Sequence, residues 1–192
     1  MRTELSDGRI LIRRHRAEDI PALFEAVRES IPELSPWMPW CHADYAIEET
    51  EEFIKAQPEH WDRGEGYGFL ITDALTGEVL GGVGLSLINR LHRFANLGYW
   101  VRTSRRGRGV AVAAALLAAR FGFEELGLQR IEIVAAVENR ASQRVAEKAG
   151  AYLEGVLRKG LFLREREHNG VLYSLVAEDL GLQPAPQTKA EA

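Results

Sequence analysis

Residues 101–111 read Val101-Arg102-Thr103-Ser104-Arg105-Arg106-Gly107-Arg108-Gly109-Val110-Ala111. A β-rich run, Asn96-Leu97-Gly98-Tyr99-Trp100, precedes them, and an Ala/Leu-rich run follows to about residue 125. The stretch predicts a strand, a tight loop and the start of a long, buried helix. Gly107 and Gly109 let the backbone turn sharply and come close to a ligand. The first amides of a helix lack internal partners and lie at the positive end of its dipole, so the place suits a phosphate or pyrophosphate. Arg102, Arg105, Arg106 and Arg108, with no acid among them, strengthen that preference. The P-loop requires Gly-Lys-Ser/Thr where this chain has Gly109-Val110-Ala111. The dinucleotide fingerprint requires Gly or Ala where it has Val112. Neither familiar phosphate loop fits. A solvated arginine-rich turn is the plain alternative.

Toward the N-terminus, residues 9–14 read as an opening strand. Glu18, Asp19 and Pro21 start a helix that reaches about Ser30. Residues 31–41 carry three prolines and two tryptophans and read as irregular, and residues 48–61 form a second helix. Residues 66–73 and 78–85 make a hairpin, followed by a strand over 96–102. Beyond the long helix, Gly127 suits its C-terminal end and residues 130–137 form a strand. Asn139 caps a shorter helix that reaches Ala149, with Gly150 past its end. Strands over 152–163 and 170–176 close the fold. The order predicts a single α/β domain over residues 1–182, with a mixed sheet of about seven strands and helices on both faces. Residues 183–192 are polar and proline-containing and are expected to be a disordered tail.

Composition narrows the function. The chain has 192 residues and a net charge of −4, which disfavours an obligate nucleic-acid binder. Cys41 is its one cysteine, and no Cys/His spacing suits zinc, so no metal is expected. No apolar run is long enough to span a membrane, and Met1-Arg2-Thr3-Glu4 opens no signal peptide. The expectation is a cytoplasmic protein without membrane or nucleic-acid partners.

Arg106-x-x-Gly109-x-Ala111, following Gly98-Tyr99-Trp100-Val101, resembles the Gln/Arg-x-x-Gly-x-Gly/Ala motif of the GNAT superfamily of acetyl-CoA-dependent acetyltransferases. Further matches are Asn139-Arg140-Ala141-Ser142, Glu147-Lys148-Ala149-Gly150 and Leu153-Glu154-Gly155-Val156-Leu157-Arg158. Leu34-Ser35-Pro36-Trp37-Met38-Pro39-Trp40 adds a mark of the Rim-type branch, which acetylates N-termini of ribosomal proteins. The resemblance covers residues 8 to about 180. It implies the GNAT fold, with a mostly antiparallel sheet.

The resemblance also implies roles. The amides of Arg106, Gly107, Arg108, Gly109, Val110 and Ala111 would hold the coenzyme's pyrophosphate. The strand ending Trp100-Val101 would pair with the pantetheine arm, and the Val101 amide would face the thioester carbonyl. Asn139 would contact the pantetheine or serve as a plain helix cap. Ser142 would protonate the departing thiolate, with Tyr152 as the alternative. The position where Rim-type relatives can carry a glutamate reads Arg158-Lys159-Gly160-Leu161, so the base stays open among Glu154, Glu165, Glu132, His92, His168 and a water network. Trp37 and Trp40 would line the acceptor's entrance. The eight acids between Asp44 and Glu65 are a solvated helix face or a lip that attracts a cationic acceptor. The implied activity is acetyl transfer from acetyl-CoA to a protein N-terminal α-amine. A small-molecule amine (polyamine, amino sugar or antibiotic) and a non-catalytic acyl-CoA sensor are the alternatives. A homodimer is a form common in the family.

Overall fold

The computed structural model describes residues 1–183, so the expected tail lies, apart from Gln183, outside the described residues. One sheet of eight strands organises the chain, in the spatial order β1-β2-β3-β4-β5-β6-β8-β7. The strands are β1 (Glu4–Ser6), β2 (Ile10–Arg13), β3 (Tyr67–Asp73), β4 (Val79–Asn89), β5 (Phe94–Val101), β6 (Arg130–Ala136), β7 (Tyr152–Leu163) and β8 (Arg166–Leu175). Four helices join them: α1 (Ile20–Leu34), α2 (Ile47–Arg63), α3 (Val110–Glu125) and α4 (Arg140–Lys148). The three-residue β1 is the strand that the sequence reading lacked.

Every pairing is antiparallel except β5 with β6. That one is parallel and short, running only from Phe94↔Arg130 to Asn96↔Glu132. Beyond it Leu97–Val101 has no ladder partner on β6, so the sheet parts between β5 and β6.

Side-chain alternation gives the two faces different contents. Phe69, Ile71, Val83, Leu85 and Leu97 point to one face and pack with Ala114, Ala115, Ala118 and Phe121 of α3. Small alanines bring this helix close to the sheet. On the other face Leu70 and Val79 pack with Leu23, Val27 and Ile54 of the first two helices. The same face also carries Gly68, Gly84 and Gly98, cross-strand partners in one row across β3, β4 and β5. These three positions contribute no side chains of their own, and a cavity lies over them.

The first helix runs four residues beyond the expected Ser30, through Pro32 to Leu34. Pro32 lacks only one amide donor, and it stands in the last turn, where one lost bond is tolerated. The irregular stretch is therefore displaced toward the C-terminus, to residues 35–46.

Candidate functional site

The loop from β5 to α3 is held by side chains from outside it. Arg102 donates to Glu29 of α1 at 3.0 and 2.5 Å, and the Ser104 amide donates to the same carboxylate at 2.6 Å. The Thr103 amide donates to Ser30 Oγ at 3.1 Å. Arg105 grips Glu78 through three contacts of 2.7–3.1 Å. The Arg102 guanidinium, helped by the Ser104 amide, holds the Glu29 carboxyl down to about 2. Two of the four arginines credited to an anion are thus structural clamps. Among the described residues, Arg106 and Arg108 make no ion pair.

Gly107 and Gly109 have φ of +74° and +79°, the left-handed region that costs other residues energy. Gly109 caps α3, whose first internal bond runs from the Ala113 amide to the Gly109 carbonyl at 3.0 Å. The amides of Val110, Ala111 and Val112 therefore have no helical partner and face a cleft of about 340 Å³. The cleft is also lined by Trp100, Val101, Arg106, Gly107 and Gly109 from the loop side, and by Asn139 and Ser142 from α4. Of the expected loop residues only Arg108 is outside the lining. Its carbonyl accepts from Arg9 at 3.0 Å.

Asn139 is a helix cap, its side chain accepting from the Ser142 amide at 3.1 Å. Asn139 also lines the cleft. Ser142 has a partner that sequence reasoning missed. The Tyr99 hydroxyl donates to the Ser142 carbonyl at 3.0 Å and stands 3.1 Å from Ser142 Oγ. Burial pushes the Tyr99 phenol up to about 12, against the lowering effect of Ser142, so it stays protonated at neutral pH. Only the tertiary structure could have revealed this pair, which spans 43 positions of sequence.

A second cavity, of about 810 Å³, lies over the glycine strip. Its floor includes Gly68, Gly84 and Gly98, and its far wall carries Glu49, Glu52, Phe53, Gln57 and His60 of α2. Those residues recur at helical spacing on one stripe. Two of the eight acids of the 44–65 segment thus face the cavity. Glu49 accepts from the Ala46 amide and pairs with His42, both at 2.9 Å, and these contacts lower its pKa.

The two cavities share Met38, Tyr99 and Trp100. Trp40 lines the larger one, with its ring 6.0 Å from those of Tyr45 and Trp100. Trp37 does not. Residues 37–40 turn so that Trp37 lines the smaller cleft and Trp40 the larger one. The loop is tied down by Arg164 at the tip of the β7–β8 hairpin, which donates to the Ser35 carbonyl at 2.7 Å and to those of Met38 and Cys41.

Glu154 is not brought to either cavity. It is bound to Arg130 at 2.5 Å and accepts from Ser174 at 2.7 Å, and these contacts lower its pKa. Glu132 also pairs with Arg130, at 2.8 Å. His168 lies near Glu138 on the hairpin, His92 and Glu165 stand in turns, and Tyr152 is exposed on β7. None of these lines either cavity. The titratable groups that do line the larger one include His15, His42, Glu49, Glu52 and His60. Among the described residues no cluster could hold a metal ion, and no helix is long and apolar enough to cross a membrane.

Comparison with known proteins agrees with this geometry. The chain is 36% identical over 103 residues to Bacillus subtilis (strain 168) YdaF, named provisionally as a ribosomal N-acetyltransferase. That match covers 54% of this chain and 56% of the relative, so the chain spans little more than half the length of that protein. It is 26% identical over 160 residues to the ribosomal-protein-serine acetyltransferase of Escherichia coli (strain K12), covering 83% of this chain and 88% of that one. Mycobacterium smegmatis RimJ, solved in complex with CoA-disulfide, superposes with a TM-score of 0.82 at 26% identity, over 92% of this chain and 86% of that one. Residues 9–152 match the acetyltransferase (GNAT) domain, and with the parted sheet and its glycine-capped helix α3 this makes the chain a member of the GNAT acetyltransferase family.

Proposed function

We propose that this chain transfers the acetyl group of acetyl-CoA to a primary amine, favouring the N-terminal α-amine of a ribosomal-type protein. The observation that carries the reading is the junction of the two cavities at Met38, Tyr99 and Trp100. One cavity has the donors for an elongated anion, and the other is large, aromatic and faced by two acids. The residues fit the coenzyme: three helix-start amides and Arg106 suit the pyrophosphate, and Lys148 lines the same cleft. The Val101 amide would donate to the oxygen on which charge develops, an interaction worth about 3 kcal/mol in comparable holes.

The amine nitrogen attacks the thioester carbon, the carbon–sulfur bond breaks, and sulfur leaves as a thiolate. Ser142 Oγ, steadied by the Tyr99 hydroxyl, supplies the proton to the sulfur. The attacking amine must be neutral. At pH 7 about a tenth of an α-amine is neutral, whereas lysine is more than two pKa units worse. An α-amine therefore asks little of a base, and water relayed to Glu49 or Glu52 would suffice. The kinship with Rim-type proteins supports the same acceptor and a cytoplasmic setting.

The test is mass spectrometry of a pooled acceptor mixture incubated with acetyl-CoA and the protein. The pool holds ribosomal-protein N-terminal peptides, lysine peptides, polyamines and aminoglycosides. A gain of one acetyl mass on an α-amine is the expected result. Gain confined to small amines would move the acceptor to that class. Coenzyme binding with no thiol released from any acceptor would mark a sensor.

A further inference from the structure

The acceptor cavity is longer than one amine requires, and its length has a direction. Gly98, Gly84 and Gly68 are consecutive cross-strand partners, so the floor runs perpendicular to the strands. Two strand spacings of about 4.8 Å separate Gly98 from Gly68, about 10 Å in all. At the near end, a side chain added to Gly98 would meet nothing within 4 Å. At the far end, the space above Gly68 is held by Gln57 Oε1, 2.3 Å from where a side chain would begin, with the His15 ring edge 3.5 Å away.

The far end is built from acceptors. Gln57 Nε2 donates to the Phe53 carbonyl at 3.3 Å, which leaves Oε1 without a partner among the described residues. The His15 ring packs edge-on against Phe53, with centroids 5.1 Å apart, and its buried Nδ1 has no hydrogen-bond partner. Burial, opposed by Asp19, lowers the His15 pKa to about 4, so at neutral pH the ring is uncharged and one nitrogen carries a lone pair. Buried polar groups are normally satisfied, so the unpaired His15 Nδ1, with an acceptor oxygen of Gln57 lining the same end of the cavity, points to a ligand donor.

We propose that His15, Phe53 and Gln57 form a second acceptor subsite around Gly68, which holds the third or fourth residue of an extended peptide by accepting one of its N–H groups. This rests on the α-amine reading above. An extended chain advances about 3.3 Å per residue, so about 10 Å from the junction is three residues along. The absence of side chains on Gly98 and Gly84 lets that backbone lie along the sheet as far as Gln57, which covers Gly68. A single amino acid or a short diamine does not reach the far end.

The experiment is a length series of N-terminal peptide amides, from one to five residues, acetylated by the intact protein. In the wild type kcat/KM rises about tenfold between the dipeptide and the tetrapeptide, the size of one well-placed hydrogen bond. In Gln57→Met, with folding checked by thermal melting, the tetrapeptide-to-dipeptide ratio falls to about one. His15→Phe lowers the same ratio. N-methylation of the third or fourth peptide nitrogen, tested on the wild type, removes the gain without altering the enzyme. A flat length series with peptides still acetylated would overturn the subsite and leave the α-amine reading standing. Acetylation of small amines but of no peptide would overturn both.

Discussion

Tyr99 of β5 and Ser142 of α4 are bonded across the cleft, hydroxyl to carbonyl at 3.0 Å and hydroxyl to Oγ at 3.1 Å. The phenol is partly buried and keeps its proton far above neutral pH. It therefore fixes the rotation of Ser142 without competing for a negative charge. Ser142→Ala is expected to lower kcat by about a hundredfold, the lower range for a positioned acid, while coenzyme affinity changes about twofold or less. Equal turnover in the variant would remove Ser142 from the proton path. Tyr99→Phe is expected to cost about 1 kcal/mol of stability and a smaller part of kcat.

Gly109 holds a left-handed backbone at the start of α3. Gly109→Val is expected to cost about 1–2 kcal/mol in stability from the forced φ. It would also misdirect the amides of Val110 and Ala111, and calorimetry should find coenzyme binding abolished or nearly so. Unchanged binding would show that the loop is not the anion site.

Acid should lower the stability of the protein over two pH ranges. His15 has a folded pKa of about 4, below its ordinary 6.5, because burial favours the neutral ring. The unfolded chain therefore binds the extra proton first, and stability falls as the pH drops from 6.5 toward 4. Glu29 has a folded value of about 2 against an ordinary 4.5, so its contribution is complete at neutral pH and is lost from 4.5 downward. Its side chain is 29% exposed, and screening leaves that second contribution near about 1 kcal/mol. Denaturant titrations against pH should show His15→Phe flattening the fall over the upper range and Glu29→Gln over the lower.

Glu154 is spent on Arg130 and Ser174. Glu154→Gln should leave kcat and its pH profile nearly unchanged and lower the melting temperature slightly. A large loss of kcat at constant coenzyme affinity would restore it as a base.

Trp40 stacks obliquely on Trp100 over the junction and is 41% exposed. Trp40→Ala should raise the acceptor KM about tenfold, the worth of one aromatic contact with its burial, and change kcat less. Steady-state kinetics with a saturating coenzyme would measure it.

The cleft at the start of α3 was legible because its signals are local. Glycines before an apolar helix and an Asn three residues ahead of Ser142 describe their own geometry within one turn of chain. The larger cavity was not, because its parts are spread out. Gly68, Gly84 and Gly98 each look like a weak point in a strand, and only the register of three strands aligns them. The arginine loop was half legible. Its charge was visible, but Glu29 and Glu78, which neutralise Arg102 and Arg105, come from distant segments.

By itself, then, the sequence determined the order of strands and helices apart from β1, the glycine loop that starts α3, and the kinship that both imply. These follow from periodicity, capping and backbone freedom, which act over a few residues. The tertiary structure alone decided that Trp37 and Trp40 serve different cavities, that Tyr99 steadies Ser142, that Glu154 is a structural ion pair, and that His15 closes the far end of a glycine floor. Each of these depends on strand register or on packing across the sheet, and such contacts leave no periodic trace in the chain.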